Sequence, residues 1–522
     1  MTARTTTAAH ATSLCTVAAR PWVLAATILA SGMVFIDGTV VNVALPALQQ
    51  EFKASASAVQ WVVESYALFL AALLLVGGTA GDRYGRRRVF ILGVLVFAAA
   101  SVWCGLTGSV GQLIVARAVQ GIGGALLVPG SLALISASFP EHQRGKAIGT
   151  WSGYTAITAA IGPVLGGFLI EHFSWRWAFL INIPLALLIL PLAWRYVPES
   201  RDPHAPASLD WLGALLASAG LACLVYGLIA SSNQGWGNAG VLAALGGALV
   251  LLIAFVVLEL RHPAPMLPMN LFRSRDFSGA NLLTLLLYAA LGGGLYFFPL
   301  NLIQVQGYSA LAAGAALLPF VLLMFLLSRW SGGLVDRYGA KGPLVIGPAI
   351  AALGFAAFAL PGIGGSYWVT YFPAVLILGF GMSVAVAPLT TTVMNALDAS
   401  LAGVASGVNN AVSRAAALLA IAVFGIVMTL VFNGALNSRL NTVAAQPAAI
   451  EQVRAQRARL AAIELPAHSS AEEAAALKQA IQQSYVAGFR WVMWLSAGLA
   501  LASALCAWLL IGNEPASTES DQ

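Results

Sequence analysis

The sequence predicts an all-α polytopic membrane protein: two six-helix bundles plus two extra linker helices, fourteen transmembrane helices in all. Three observations carry that prediction. The apolar residues come in runs of roughly 20, the length that crosses ~30 Å of hydrocarbon. Of 522 residues, 59% are hydrophobic and only 9% are charged, against about 25% charged in a typical soluble domain. Lipid must therefore be the solvent for most of the chain. Finally, one loop sequence occurs twice, eight spans apart.

The spans fall at about 21–48, 59–81, 89–108, 112–138, 146–170, 177–196, 210–230, 239–259, 278–303, 311–334, 343–362, 369–394, 405–432 and 487–511. A helix satisfies its own backbone groups in lipid, and the period-two alternation of barrel strands is missing from these runs. Residues 1–20 form a Thr/Ala-rich tail. The run from Trp22 to Leu48 is too long for a signal-peptide core and contains Asp37, so it reads as a retained first span. The divisions are then 1–20 (tail), 21–197 (first bundle), 198–260 (two inserted helices), 261–511 (second bundle) and 512–522 (tail).

Orientation follows from the basic residues of the short loops. One side carries fifteen of them, including Arg83, Arg86, Arg87, Arg88, Arg144, Arg337 and Lys341, and the other carries only Lys53 and Arg176. This bias predicts that both termini are cytosolic and that segment 433–486 is external. Within that segment, 447–463 and 470–484 read as short polar helices. They form either a solvated cap or a docking surface for a periplasmic adaptor. The net charge of +6 is spread over loops between spans, so it does not indicate nucleic acid. Cys15, Cys104, Cys223 and Cys506 have no metal-site or disulfide spacing and read as small packing residues.

The repeat is explicit. Gly78-Thr-Ala-Gly-Asp82-Arg83-Tyr84-Gly85-Arg86 follows span two, and Gly332-Gly-Leu-Val-Asp336-Arg337-Tyr338-Gly339-Ala-Lys341 follows span ten. Gly121-Ile-Gly123 with Pro129 is echoed by Gly379-Phe-Gly381 with Pro388. A duplicated six-helix unit is a transporter architecture.

Further motifs occur in order along the chain. They are Asp37-Gly-Thr39-Val-Val-Asn42-Val-Ala-Leu-Pro46, Arg117-Ala-Val-Gln120-Gly121-Ile-Gly123-Gly124, Gly149, Gly162-Pro163-Val-Leu-Gly166-Gly167, and Asp210-Trp211-Leu-Gly213. With the Gly78–Arg88 loop, they make the chain resemble the major facilitator superfamily, within it the fourteen-helix drug:proton antiporter branch of multidrug efflux transporters. The resemblance covers all fourteen spans. One departure is Thr158, where the antiporter motif has a glycine. The resemblance implies a major facilitator fold in a bacterial cytoplasmic (inner) membrane. It also implies export of small amphipathic or lipophilic compounds by alternating access, with a proton gradient as the only energy source and no cofactor. The Gly78, Asp82, Arg83, Gly85, Arg86 loop, with Asp336 and Arg337 in the second half, is implied to latch the halves on the cytosolic side. Gly149, Gly162, Pro163, Gly166 and Gly167 are implied to bend span five in favour of export.

The residues carry chemistry of their own. Asp37 and Glu64 lie in the apolar runs of spans one and two, and Arg117 lies in span four. A charge at the bilayer centre costs roughly 2.5–3.5 kcal/mol on insertion scales, so such groups face a cavity or one another. Either these three form a structural ion pair, or they are a proton and substrate site. Which of Asp37 and Glu64 carries a proton stays open, as does the alternative that Glu64 meets substrate charge. Asn42 and Arg414 are further candidates for the cavity wall. Pro163 lacks an N–H and should break the span-five ladder, while Gly166 and Gly167 permit close helix packing. The Asp82 carboxylate can bond Arg86 or cap a neighbouring helix.

Rival classes lack their signatures. No G-x-x-x-x-G-K-[ST] loop serves an ATP-driven pump, and Gly121–Gly124 lies inside a span. HExxH, GxSxG and a His cluster are likewise missing, so an enzyme is disfavoured. The expected partners are a small-molecule substrate, protons and the bilayer, with the chain acting as a monomer. Substrate identity cannot be read from the residues.

Overall fold

A computed structural model of the chain describes residues 15–201, 210–263, 265, 267–397, 402–466 and 469–512. Spans one to three are Arg20–Glu51, Ala56–Tyr84 and Arg86–Leu106. Spans four and five are Val110–Ser138 and Glu141–His172, and span six is Trp177–Tyr196, interrupted at Ile181. The linker spans seven and eight are Trp211–Gln234 and Ala239–Arg261. Span nine is Arg275–Gln304, and span ten comprises Ala310–Ala315 and Leu318–Gly332, with Pro319 opening its second piece. Spans eleven to fourteen are Lys341–Phe358, Phe372–Asn395, Ala402–Leu440 and Ala471–Leu510.

Thirteen of these helices are long and apolar enough to cross a membrane. That count is of the described residues; span five is a further helix of 32 residues. Its helix begins at Glu141, five residues before the expected start at 146, and runs through Pro163 without interruption. Pro163 thus takes one rung from the ladder without ending the helix. Losing one N–H removes a single rung, and neighbouring helices hold the rest of the ladder in place.

Polar side chains set the helix starts. Ser55, Ser109, Asp210, Asn238, Ser274, Ser309 and Ser470 each accept a backbone N–H from the first turn that follows. Each such cap stabilises its helix by about 1 kcal/mol.

Segment 433–486 differs from expectation. Residues up to Leu440 continue span thirteen, and residues from Ala471 onward belong to span fourteen, so 470–484 is not a separate helix. These helices have 39 and 40 residues, and at ~1.5 Å per residue each reaches roughly 60 Å, about twice the hydrocarbon thickness. Between them, Pro447–Ala455 is helical and Arg457–Ala462 is a 3-10 turn in place of the single helix expected over 447–463. The Arg459 guanidinium bonds the Glu464 carboxylate at 3.1 Å and holds that carboxyl below the usual carboxylate range.

The sequence repeat is a structural repeat. A Cβ on Gly121 would strike the Tyr66 carbonyl oxygen of span two, and one on Gly379 would meet Phe320 of span ten. On the same helices, Gly123 faces the Phe97 backbone of span three and Gly381 faces the Ala351 backbone of span eleven. Span four thus lies against spans two and three as span twelve lies against spans ten and eleven. The loop glycines match as well, with φ +114° at Gly85 and +72° at Gly339, a left-handed region that favours glycine. Span seven covers the seam between spans two and thirteen, where Leu68, Val225, Ile229, Leu418 and Ala422 form one apolar cluster, and span eight packs on span seven.

These close approaches make a testable demand. A Cβ at Gly123 would lie 2.6 Å from the Phe97 backbone nitrogen. Gly123→Leu should therefore cost on the order of 1–3 kcal/mol through overpacking, read as a lower melting temperature in detergent. Unchanged melting would show that spans three and four do not pack this way.

Candidate transport site between the two halves

Asp37 and Arg117 form a buried ion pair, 0% and 1% exposed at the side chain. Arg117 donates through one guanidinium nitrogen to Asp37 and to Gln120 Oε1, and through Nε to the Val62 carbonyl at 3.1 Å. The second Asp37 oxygen accepts from Gln120 Nε2 at 2.7 Å and from Asn182 Nδ2 at 3.0 Å. Both amides also donate to Ser101 Oγ, at 2.7 and 3.1 Å. The Tyr66 ring lies 4.1 Å from the Arg117 guanidinium carbon. One carboxylate thereby ties together spans one, two, three, four and six. Both Asp37 oxygens are paired, while the Asn182 side-chain oxygen has no partner; a hydrogen-bonded network of this kind rigidifies its surroundings.

Glu64 is placed differently. It is 0% exposed, and neither carboxyl oxygen has a hydrogen-bond partner. Gln60, one turn earlier on span two, directs its amide to the Ile421 carbonyl of span thirteen at 3.0 Å. Tyr296 of span nine is close enough to feel the Glu64 charge. Glu64 therefore lies where spans two, nine and thirteen meet, at the junction of the two halves. The structure thus separates the two carboxylates that the sequence left equivalent.

The other cavity candidates are distributed. Asn42 is half-buried on span one, with a side-chain oxygen that lacks a partner, two turns from Gln49 on the same face. Arg414 is half-buried on span thirteen near Tyr66. Its neighbour Asn409 bonds Asn281 and Thr284 of span nine.

The halves are tied together at the end that bears segment 441–470. Gln304 Nε2 donates to Gln49 Oε1 at 2.9 Å, and Gln49 Nε2 donates to the Arg459 carbonyl at 3.0 Å. Leu311 N donates to Glu171 Oε2 at 3.3 Å. The span-five glycines serve this contact. Gly162 and Gly166 lie against Thr39 and Val40 of span one, and Gly167 lies against the Ala310–Leu311 backbone of span ten. Gly314 returns the contact on Pro163. Thr158 is accommodated by Gly32 of span one, whose Cβ would lie 3.0 Å from the Thr158 methyl. The glycine missing on one helix is supplied by the other. Gly149 lies outside the described residues of that helix.

At the opposite end, Asp82 pairs within its own half, with Arg86 at 2.7 Å. Arg83 stacks near Tyr84, and Gly78 is in ordinary contact with Pro129. Glu199 accepts from the backbone N–H groups of Arg87 and Ser200 and pairs with the Arg87 and Arg88 guanidinium groups. A Cβ at Gly85 would lie 2.7 Å from this carboxylate. Arg87 and Arg88, read as topology determinants, are therefore also structural. In the second half Arg337 is exposed, and the Asp336 side chain lies outside the described residues.

Several residues that contact the candidates are not themselves singled out as candidates in the sequence, Gln120 being named only within its motif. Gln120 had a signal, since it lies three residues after Arg117 on one helix face. Asn182 and Ser101 are single polar residues in apolar runs, and nothing in sequence marks their shared partner. Gln60, Tyr296 and Glu199 become meaningful only through contacts distant in sequence.

Two six-span halves are joined by polar contacts at the end that bears segment 441–470. Residues 27–421 match the Major Facilitator Superfamily. The chain belongs to this superfamily of membrane transporters. It is 36% identical over 410 residues to the tetracenomycin C resistance and export protein of Streptomyces glaucescens, covering 78% of this chain and 76% of that one. It is 34% identical over 436 residues to the multidrug resistance protein Stp of Mycobacterium tuberculosis, covering 81% and 79%. Among solved structures, a bacterial homologue of the human lysosomal transporter Spinster, in an inward-facing and occupied conformation, superposes with a TM-score of 0.64 at 20% identity. That match covers 94% of this chain and 96% of the other. The inward-open xylose transporter XylE from E. coli gives 0.57 at 15% identity, covering 95% and 97%. This major facilitator chain is thus a multi-pass membrane transporter.

Proposed function

We propose that this transporter is a proton-coupled antiporter that exports small amphipathic or lipophilic compounds, including antibiotics, across the bacterial cytoplasmic membrane. Its termini are cytosolic and segment 441–470 is external, as the excess of basic residues at the terminal end supports. The bonded end is then external, and the conformation is inward-facing. The observation that carries the reading is Glu64, a fully buried carboxyl without a partner at the junction of the halves. An ionised carboxylate there would have no cation and at most the neighbouring Gln60 amide to compensate it, so this conformation accommodates the neutral acid. When the halves rearrange and water or substrate reaches Glu64, the proton can leave. Asp37, held by Arg117, Gln120 and Asn182, keeps one environment throughout and frames the first half. The names of the relatives, resistance and export proteins, support the substrate class.

The Asp82 loop engages in the other state. In this one Asp82 bonds only Arg86 among the described residues. When the external end parts, the terminal end must close, and the loop is the polar contact available there. Asp82→Asn should therefore lower transport at least several-fold and leave drug binding to the inward-facing state unchanged. Wild-type transport by that variant would remove the latch role.

The function is tested with purified protein in liposomes under an imposed pH gradient. Net movement of an unmodified compound, abolished by a protonophore, is the expected result. Covalent change of the compound, or accumulation that ignores the gradient, would overturn the proposal.

A further inference from the structure

Beneath the Arg457–Ala462 turn lies a cavity of about 30 Å³ between the halves, large enough for at least one water. Polar groups of both halves line it, among them Gln49 and Gln60 from one and Gln304 and Tyr485 from the other. Leu460 contributes to the wall next to segment 441–470. The Tyr485 hydroxyl is buried without a hydrogen-bond partner, an arrangement that is unfavourable unless a water satisfies it. Gln60 marks the inner wall, its amide bonded across the halves to the Ile421 carbonyl. Glu64 lies one helical turn further along the same face of span two. Tyr296 lines the cavity and is also close to Glu64. The Gln60 amide thus stands between a water-sized polar cavity and the unpartnered carboxyl.

We infer that Gln60 is a proton gate: bonded to Ile421 it separates Glu64 from the cavity, and released when the halves part it lets cavity water reach the carboxyl. The inference rests on Glu64 as the proton carrier. A hydronium ion in the cavity passes its proton to a Glu64 carboxylate oxygen and is left as water, with no other reactant. Because the Gln60–Ile421 bond spans the halves, proton access is tied to the same motion that opens the substrate path. Gln60 is a positioning residue, while Glu64 holds the proton.

The test uses the full chain in liposomes loaded with a pH-sensitive dye, with acid on the side of segment 441–470 and no substrate present. Gln60→Ala should admit protons at least five-fold faster than wild type, and the added Glu64→Gln substitution should return the leak to the wild-type rate. No leak from well-folded Gln60→Ala, or a leak that persists in the double variant, would overturn the gate. Tyr485→Phe keeps the ring and removes the unpartnered hydroxyl, and it should slow substrate-coupled proton entry at least three-fold. An unchanged rate would take the cavity off the proton path. Failure of the underlying assignment reads differently: Glu64→Gln alone would then still couple export to protons.

Discussion

Arg117→Met should destabilise the protein by about 3–5 kcal/mol and abolish transport. The substitution leaves Asp37, 0% exposed, facing Gln120 and Asn182 without its cation. Removing one partner of a buried pair strands the other charge, which is where a cost of that size arises. The double variant Arg117→Met with Asp37→Leu should recover most of the stability, because it removes the stranded charge and fills similar volume. Transport should not return with it, since Gln120, Asn182 and Ser101 then lose the group that organises them. Melting temperature in detergent reads the first effect and liposome export the second. A single variant as stable as wild type would mean that the pair does not hold the first bundle together.

Glu64→Gln has the other large effect and leaves stability nearly unchanged, because the amide keeps the shape of a group that this conformation accommodates uncharged. Uphill export should disappear while downhill exchange survives, since an uncoupled carrier still reorients. One charge crossing 100 mV releases about 2.3 kcal/mol, and one pH unit adds roughly 1.36 kcal/mol. At 100 mV alone, the wild type can therefore sustain a gradient of roughly 50-fold, and the variant should hold a ratio near one. Asp37→Asn should behave differently. It loses export together with stability, because it weakens the Arg117 pair that ties the bundle.

The fold was legible because lipid forces apolar runs of known length and because duplication left its glycines in register. Gly121 and Gly123 recur as Gly379 and Gly381, and each pair is demanded by a backbone that approaches too closely for a Cβ. The limits of legibility are equally physical. Spans thirteen and fourteen extend into the polar segment 433–486 because helix formation there is set by propensity and capping, as at Ser470, and not by hydropathy. The continuous helix through Pro163 reflects tertiary contacts with Gly314, which no local pattern reports.

The site was half legible. Asp37, Glu64 and Arg117 stood out as charges in apolar runs, but sequence gave each carboxylate the same claim to the proton. What separates them is the partner set: three side chains converge on Asp37 from spans four and six, and none bonds Glu64 among the described residues. Such convergence joins residues about 80 to 145 positions apart, beyond the reach of any spacing rule. The latch loop was legible as a motif, yet its Glu199 partner, more than 100 residues away, was not.

Substrate-induced proton release from purified transporter in weakly buffered detergent solution tests the assignment of Glu64 most directly. Wild type and Asp37→Asn, where the latter still binds drug, should each release about one proton per drug bound, and Glu64→Gln should release none while binding normally. Full release from Glu64→Gln, or its loss in a drug-binding Asp37→Asn variant, would contradict the assignment of the proton to Glu64.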